Sequence, residues 1–179
     1  GKQAVLIERG KFAGSKHVFG GAVYAQPTKE IFPDFEQSAP IERKTVEHKY
    51  ALLGENDGTV VSYKESNNEN VSYSVIRGKF DRWMALEAQK EGVILVEETV
   101  VRDLILVDGF VKGVRTEVED YYADIVVLAD GVNSLLARQI GLRSKLNPKD
   151  VALSVKEVIK LPEEVINERF RSRSEERFS

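Results

Sequence analysis

The most specific chemical signal in the sequence is an apolar run that ends in an acidic residue and a glycine and leads at once into a helix. The run covers 125–129, Asp130 and Gly131 follow it, and Asn133 or Ser134 is placed to cap the helix. Ligands of open α/β sheets bind at the carboxyl ends of strands, where such a turn presents a carboxylate and free helix amides. The segment therefore favours a ligand site over a purely structural turn.

Two other charged residues stand where a strand ends or a helix begins. Glu8 follows the apolar run 4–7, and a carboxylate there can accept hydrogen bonds from both hydroxyls of an adenosine ribose. A solvated surface glutamate is the commoner outcome of that pattern alone. Arg77 opens a helix predicted over 78–91, where a planar guanidinium suits a pyrophosphate. The alternative for Arg77 is a surface ion pair with Asp81.

A glycine-bearing stretch lies between these two charged residues. It contains Gly14, Gly20 and Gly21, and glycine allows a backbone to approach a flat ring or a phosphate closely. A turn-rich connection is an equally good interpretation of this stretch. His17, taken by itself, is typical of a surface histidine rather than of a base or a metal ligand.

Composition excludes several other kinds of site. The chain has 179 residues, a net charge of −3 and no cysteine. Disulfides, thiolate metal sites, iron–sulfur ligation and cysteine nucleophiles are therefore excluded, and there is no basic field for nucleic acid. The longest apolar runs are far shorter than a membrane-spanning helix. We expect a cytoplasmic protein, with peripheral membrane contact left open for the full-length form. Because no methionine begins the chain, we also expect an excised piece.

The elements that must position these residues alternate between strand and helix patterns. Asp57-Gly58 and Asp108-Gly109 each lie between apolar runs, as in hairpins with type I′ turns. Such an order predicts an α/β protein whose parallel layer is interrupted by antiparallel hairpins. In chain order, the predicted elements are a strand at 4–7, a loop at 11–25, a helical turn at 28–32, a hairpin across 52–61, a strand at 71–76, a helix at 78–91 ended by Gly92, a strand at 93–96, a hairpin across 104–111, a buried strand at 125–129, a short helix ended by Gly141, a late strand at 151–159, and a frayed helix or tail from 169.

In this order, the motifs resemble those of the FAD-dependent electron-transfer-flavoprotein:quinone oxidoreductases and FixC-type dehydrogenases. The wider superfamily also contains the geranylgeranyl reductases. The resemblance spans 5–170 and rests on Glu8 after a strand, on Gly-Ser-Lys-His-Val-Phe-Gly-Gly-Ala-Val-Tyr-Ala at 14–25, on Arg-x-x-Phe-Asp-x-Trp at 77–83, on Ala-Asp-Gly-Val-Asn-Ser at 129–134, and on the run at 150–162.

The resemblance implies part of a glutathione-reductase-type FAD-binding fold, with a mixed sheet and β-hairpin insertions. Residues 1–150 would form an incomplete FAD-binding domain with a small antiparallel insertion near 45–76. Residues 151–179 would begin the catalytic or substrate domain. The sequence contains neither the G-x-G-x-x-G strand–turn–helix that precedes the glutamate in this family nor the later glycine–aspartate segment that completes the flavin site.

The resemblance also assigns FAD contacts, and no catalytic side chain or metal ligand, because the flavin itself carries the chemistry. The implied cofactor-binding residues are Glu8 and Arg9 at the adenosine ribose, Val101 at the adenine edge, Arg77 at the pyrophosphate, Asp130 and Gly131 along the pyrophosphate–ribityl stretch, and Lys16, His17, Gly20 and Gly21 around the isoalloxazine.

The implied reaction passes electrons from an electron-transfer flavoprotein towards a quinone or a ferredoxin-like protein. A geranylgeranyl reductase-like prenyl reductase is the alternative enzyme, although such reductases often carry a cysteine near the flavin loop and this chain has none. Ala137, where the wider superfamily often has arginine, argues against a hydroxylase. A non-catalytic fragment that holds no FAD is the third interpretation. Either self-association through an exposed sheet edge or a rearranged sheet, with Glu8 and Asp130 facing solvent, is expected with it.

Overall fold

A computed structural model describes residues 3–45, 47–64, 71–155, 157 and 159–170. The chain divides into two compact units, the first made of 1–16 and 85–155 and the second of 17–84 and 156–179. The strands are β1 (Val5–Ile7), β2 (Gly20–Tyr24), β3 (Ile41–Lys44), β4 (His48–Leu53), β5 (Gly58–Tyr63), β6 (Ser72–Ile76), β7 (Ile94–Val96), β8 (Val101–Val107), β9 (Phe110–Thr116) and β10 (Asp120–Tyr122). The α-helices are α1 (Ala25–Ile31), α2 (Phe35–Ser38), α3 (Arg77–Lys90), α4 (Leu135–Gln139) and α5 (Glu163–Phe170), and a 3₁₀ turn covers Pro148–Asp150.

In the first unit, β1 and β7 form a two-stranded parallel sheet. Val5, Leu6 and Ile7 pair in register with Ile94, Leu95 and Val96. Both strands agree with the sequence prediction. The predicted burial of β1 is wrong, because Val5 and Leu6 keep about two fifths of their surface exposed. The cause is that β1 pairs on one side only among the residues that the structure describes.

The buried strand predicted over 125–129 is not formed. This segment pairs with no strand in the described ranges, and Ile125 and Val127 are 76% and 82% exposed. Val126 and Leu128 are half-buried and line an apolar pocket that also contains Leu104 of β8. The alternation expected of a strand is therefore present in the side chains, whereas the backbone pairing that defines a strand is absent.

A three-stranded antiparallel meander of β8, β9 and β10 makes up most of the rest of the first unit. Val107 pairs with Phe110, and Asp108 and Gly109 between them both have positive φ, 51° and 81°. Two consecutive positive φ angles are what a type I′ turn requires, so this predicted hairpin is confirmed.

Gly113, at the middle of β9, lies where the backbone of β10 approaches this central strand closely. A Cβ on Gly113 would lie 2.0 Å from the carbonyl oxygen of Tyr121 and 2.9 Å from the Cα of Tyr122. Both obstacles are backbone atoms, so no side-chain rotation relieves them. The pairing of β9 with β10 therefore depends on glycine at this position.

We expect Gly113→Ala to destabilise the first unit by about 1–3 kcal/mol or more, because the added methyl group must displace β10. Urea unfolding followed by circular dichroism measures the change. Lys112→Ala, at the exposed neighbouring position, is the matched control and should stay within about 0.5 kcal/mol of the unmodified chain. Equal midpoints for Gly113→Ala and Lys112→Ala would contradict the close approach.

The second unit is built on a three-stranded antiparallel sheet in the order β2-β6-β3. Its core consists of Phe35, Tyr73 and Ala25, with Trp83 packed against them. The helical turn predicted over 28–32 is confirmed as the longer helix α1. The loop predicted over 11–25 is wrong at its end, where β2 forms.

A hydrogen-bonded network fastens α1 and α2 to the centre of this sheet. The Tyr73 hydroxyl donates to Oε1 of Glu36 at 2.6 Å, and Lys29 Nζ lies 2.8 Å from Oε2. Burial alone would raise the pKa of Glu36, but hydrogen bonds from Lys29 and Tyr73 outweigh burial, and the pKa of Glu36 is lowered. Burial, together with the hydrogen bond to this carboxylate, raises the pKa of Tyr73. The network therefore holds Glu36 charged and Tyr73 neutral.

The second unit also carries a two-stranded ribbon of β4 and β5, called the apolar ribbon below. The hairpin is confirmed, but its turn covers 54–57, and Gly58 pairs with Leu53 inside the strand instead of forming a type I′ turn. Its strands pair only with each other among the described residues. Tyr50 and Val61, opposite one another, are both exposed, so this ribbon belongs to no core.

Helix α3 agrees with its predicted bounds to within one residue, and Gly92 follows it with a φ of 93°. The late strand predicted over 151–159 is wrong over 151–155, which forms no strand. Residues 156 and 158 lie outside the described residues, as does the predicted tail beyond 170. Within the described ranges, no helix combines the length and the apolar character that crossing a bilayer requires.

Candidate cofactor-binding residues

In the first unit, Glu8 sits in a tight turn that docks on the segment after β7. Its Oε1 accepts a short hydrogen bond from the Gly10 amide, and its carbonyl oxygen accepts from the Thr99 amide at 3.0 Å. The Glu98 amide donates to the Gly10 carbonyl at 2.9 Å. One carboxylate oxygen of Glu8 therefore stabilises the turn. The side chain stays half-exposed and can accept further hydrogen bonds.

Gly10 belongs to this turn and was not among the residues that the sequence singled out. A Cβ there would lie 2.3 Å from the Ser15 hydroxyl oxygen and 2.9 Å from Oε1 of Glu8. A glycine two residues after a strand-ending glutamate was the signal available in the sequence. Arg9, between them, is exposed.

Val101 is the first residue of β8 and pairs with Thr116 of β9. It is two residues beyond Thr99, whose amide meets the carbonyl of Glu8. The backbone predicted to meet adenine and the carboxylate predicted to meet ribose therefore belong to one hydrogen-bonded part of the first unit.

The turn around Asp130 is organised differently from the prediction. Ser134 occupies the N-cap position of α4, but its φ is 42° and its side chain caps no amide. Its hydroxyl instead donates to the Gly131 carbonyl at 2.7 Å. Oδ2 of Asp130 accepts from the Leu136 amide at 3.1 Å. Ser134, one of the two predicted residues, is therefore at the N-cap, but the helix amide is satisfied by Asp130 and not by the Ser134 side chain.

The second unit places the glycines of the predicted flavin-facing segment in a strand. Gly20 and Gly21 are the first two residues of β2 and pair with Ile76 and Val75 of β6. Lys16, exposed, belongs to the first unit, and His17 is the first residue of the second. The glycines are therefore held by sheet pairing rather than by a free loop.

Arg77 forms the ion pair that the sequence offered as its alternative role. Its Nε donates to Oδ1 of Asp81 at 2.6 Å and its Nη2 donates to Oδ2 at 3.0 Å. These hydrogen bonds raise the pKa of Arg77. The Arg77 amide also donates to the Phe19 carbonyl at 3.1 Å, directly before the glycines of β2. The guanidinium has five N–H donors, so three remain for another acceptor.

Asp81 is the functional candidate that the sequence reasoning did not place in the site. His17 Nε2 lies 3.4 Å from its Oδ2, so Asp81 joins His17 and Arg77, two of the predicted contacts.

No hydrogen bond in the described ranges joins Glu8 to Asp130 in the first unit. Those ranges also contain no group of three or more acidic or histidine side chains arranged for a metal ion.

Comparison with known proteins shows what this chain is similar to. FixC of Escherichia coli strain K12 is 42% identical over 173 residues, which is 95% of this chain and 40% of that protein. The chain is similar to FixC proteins along nearly its whole length. FixC of Bradyrhizobium diazoefficiens is 38% identical over 182 residues, covering 98% of this chain and 42% of its own length. The chain thus spans about two fifths of the FixC proteins that it matches. No protein-family model matches it.

A solved structure shares the fold. The geranylgeranyl bacteriochlorophyll reductase-like protein of Thermoplasma acidophilum superposes with a TM-score of 0.65 at 23% identity, over 82% of this chain and 38% of that one. The predicted FixC-type resemblance and the predicted mixed α/β fold are therefore both confirmed.

Proposed function

We propose that this chain belongs to the FixC family and is part of an FAD-dependent oxidoreductase that passes electrons from an electron-transfer flavoprotein to a quinone or a ferredoxin-like acceptor. The observation that carries the proposal is the similarity to FixC proteins along 95–98% of the chain. The motifs at 14–25, 77–83 and 129–134, on which the flavoprotein resemblance rests, all lie inside the chain.

The donors and acceptors present in each unit fit the parts of FAD that the resemblance assigns to them. In the first unit, the half-exposed carboxylate of Glu8 matches a ribose diol, which offers two hydroxyl donors. In the second unit, the three remaining N–H donors of Arg77 match the oxygens of a pyrophosphate, for which a guanidinium is well shaped. Bound FAD would supply the hydride and electron-transfer chemistry, and the side chains of this chain would bind and orient it.

The other proposed contacts with FAD involve the backbone of two glycines and the second carboxylate oxygen of Asp130. Gly20 and Gly21 present a backbone without side chains at the start of β2, which allows a flat ring system to approach. Asp130 already accepts from the Leu136 amide through Oδ2, which leaves Oδ1 for a hydroxyl of the ribityl chain. No proton-transferring dyad is required of these residues, since the flavin undergoes the redox change.

The test of the reaction is electron delivery to the full-length protein that contains this segment. Reduced electron-transfer flavoprotein should bleach the flavin absorbance of that protein, and a quinone or an oxidised ferredoxin should restore it. Bleaching by the flavoprotein without reoxidation by either acceptor would contradict the proposed direction of transfer. Reduction of a prenyl double bond with no response to the flavoprotein would favour the alternative, a prenyl reductase.

Arg77 provides the first prediction about binding. In the full-length protein, Arg77→Ala should weaken FAD retention by about 1.5–3 kcal/mol, since a charge-assisted contact with pyrophosphate is lost. Arg77→Lys should lose less FAD, because lysine keeps the positive charge although it lacks the planar guanidinium fork that can make two parallel hydrogen bonds. The flavin-to-protein absorbance ratio after dialysis measures retention. Equal ratios in Arg77→Ala and unmodified protein would remove Arg77 from the site.

A further inference from the structure

The carboxylate of Asp81 is more deeply buried than the two side chains that it meets. The side chain of Asp81 is 10% exposed, whereas those of Arg77 and His17 are 39% and 50% exposed. Helix-surface pairs four residues apart are ordinarily exposed at both ends and contribute little to stability. A buried carboxylate carries a desolvation cost that only good hydrogen bonds offset. Neither solubility nor helix stabilisation therefore explains why the Asp81 carboxylate is buried.

The geometry of the Arg77–Asp81 pair fixes the direction of the guanidinium. Two parallel hydrogen bonds, at 2.6 Å and 3.0 Å, align the plane of the fork with the plane of the carboxylate. A single hydrogen bond would leave the plane free to rotate. The three N–H donors that remain therefore point in one fixed set of directions, which pre-organises them for an anion.

The same carboxylate reaches the segment that leads into β2. His17 Nε2 lies 3.4 Å from Oδ2, the oxygen that also accepts from Nη2 of Arg77. The Phe19 carbonyl accepts from the Arg77 amide at 3.1 Å, so the segment is attached to the start of α3 at two points. One of these points is backbone, and the other is Asp81.

We propose that Asp81 is a positioning residue that holds the Arg77 fork and the His17 ring in one arrangement, so that the pyrophosphate contact and the flavin-facing segment form together. The inference rests on the proposed function, in which Arg77 and His17 contact FAD. Asp81 itself touches neither FAD nor an electron partner in this scheme, and it acts through its two neighbours.

Asp81→Asn separates this proposal from a purely electrostatic one, because the two predict opposite signs. If only charge mattered, removing a carboxylate beside Arg77 would strengthen the attraction between the arginine and an anionic pyrophosphate. If orientation matters, asparagine keeps the volume and one acceptor oxygen but cannot accept both arms of the fork, and binding weakens. We expect the dissociation constant for FAD to rise by roughly 10-fold, the lower end of what losing an orienting partner costs at metal sites.

The experiment uses the full-length protein that contains this segment. Asp81→Asn is compared with Glu87→Gln, the same change of acid to amide on the same helix, where Glu87 pairs with Lys90 at 2.6 Å. The readouts are the FAD dissociation constant and the visible circular dichroism of the bound flavin, which reports the surroundings of its ring. We expect Asp81→Asn to change both and Glu87→Gln to change neither. An FAD affinity in Asp81→Asn equal to or tighter than that of Glu87→Gln would overturn the proposal.

A double variant keeps the test decisive if Asp81→Asn alone does not fold. Arg77→Gln with Asp81→Asn leaves no unpaired charge, so it is compared with Arg77→Gln alone. The visible circular dichroism of the flavin should differ between the two, because only the double variant loses the contact with His17. Identical spectra would overturn the proposal.

The outcomes also separate this proposal from the function on which it rests. If Arg77→Ala loses FAD while Asp81→Asn matches Glu87→Gln, the positioning role fails and the cofactor site stands. If Arg77→Ala retains FAD as well as unmodified protein does, the site at Arg77 fails, and the role of Asp81 fails with it.

Discussion

FAD titrated into the isolated chain of 179 residues should bind with a dissociation constant above roughly 1 µM, which corresponds to less than about 8 kcal/mol of binding free energy. In doubly wound folds, the pyrophosphate is neutralised mainly by a glycine-rich turn and the helix N-terminus behind it. The sequence contains no G-x-G-x-x-G. Arg77 and the turn at Asp130 would have to bind the cofactor without that contribution.

The structure supplies a second reason for weak binding. β1 keeps one edge unpaired in the described ranges, and the segment 125–129 has no strand partner there. Ordering these backbones around a ligand costs conformational entropy at each residue, which reduces the measured affinity. Quenching of flavin fluorescence gives the affinity, and the full-length protein is the control. Stoichiometric binding at micromolar or tighter affinity would show that this segment suffices.

The unpaired edge also predicts association of the isolated chain with itself. An exposed strand edge carries free N–H and C=O groups that can pair with a second chain. Light scattering over a range of protein concentrations measures this alongside the titration, because an associated sample would complicate the FAD affinity.

Phe35→Ala should remove about 3–5 kcal/mol from the stability of the second unit. Phe35 has no exposed surface, and its ring meets that of Tyr73 edge-on, with centroids 5.8 Å apart. Shortening it leaves a cavity at the centre of a small core, between the sheet and α2. Because whole domains are stable by only about 5–15 kcal/mol, a loss of this size leaves the second unit close to unfolding.

The fluorescence of Trp83 gives this prediction a specific readout. It is the single tryptophan of the chain and packs against the core that contains Phe35. Urea unfolding of Phe35→Ala is compared with that of Ile31→Ala, which truncates a side chain 73% exposed and should change stability by less than about 0.5 kcal/mol. Similar midpoints for both variants would contradict the placement of the core at Phe35.

Elements that depend on neighbouring residues could be predicted from the sequence. The turn at Asp108-Gly109 formed as predicted, because both residues accept positive φ and the apolar runs on each side fix the register. Helix α3 ends as predicted, because Gly92 adopts a positive φ without strain. Both results follow from local conformational preferences.

Elements that depend on distant partners could not be predicted in the same way. β2 is rich in glycine and has little strand propensity of its own, and it forms because β6 pairs with all five of its residues. The segment 125–129 has the opposite character, with high strand propensity and no partner in the described ranges. Strand propensity thus missed β2 and wrongly predicted a strand at 125–129, because backbone pairing decides whether a strand exists.

The candidate site shows the same division. The spacing of Arg77 and Asp81 made their ion pair predictable, since residues four apart share a helix face. The burial of Asp81 and its contact with His17 could not be predicted, because they depend on how the segment before β2 returns to α3. The FAD contacts of Glu8, Arg9, Lys16, His17, Gly20, Gly21, Arg77, Val101, Asp130 and Gly131 remain predictions.

The apolar ribbon has a consequence for how the second unit opens. Its two strands are hydrogen-bonded only to each other among the described residues, and Tyr50, Leu52 and Val61 are all exposed. Two-stranded ribbons without a core are marginally stable, so this one can separate without disturbing Phe35 or Tyr73. Its amide hydrogens should therefore exchange with deuterated solvent at rates near those of an unfolded peptide, while those of β6 exchange only when the whole unit unfolds.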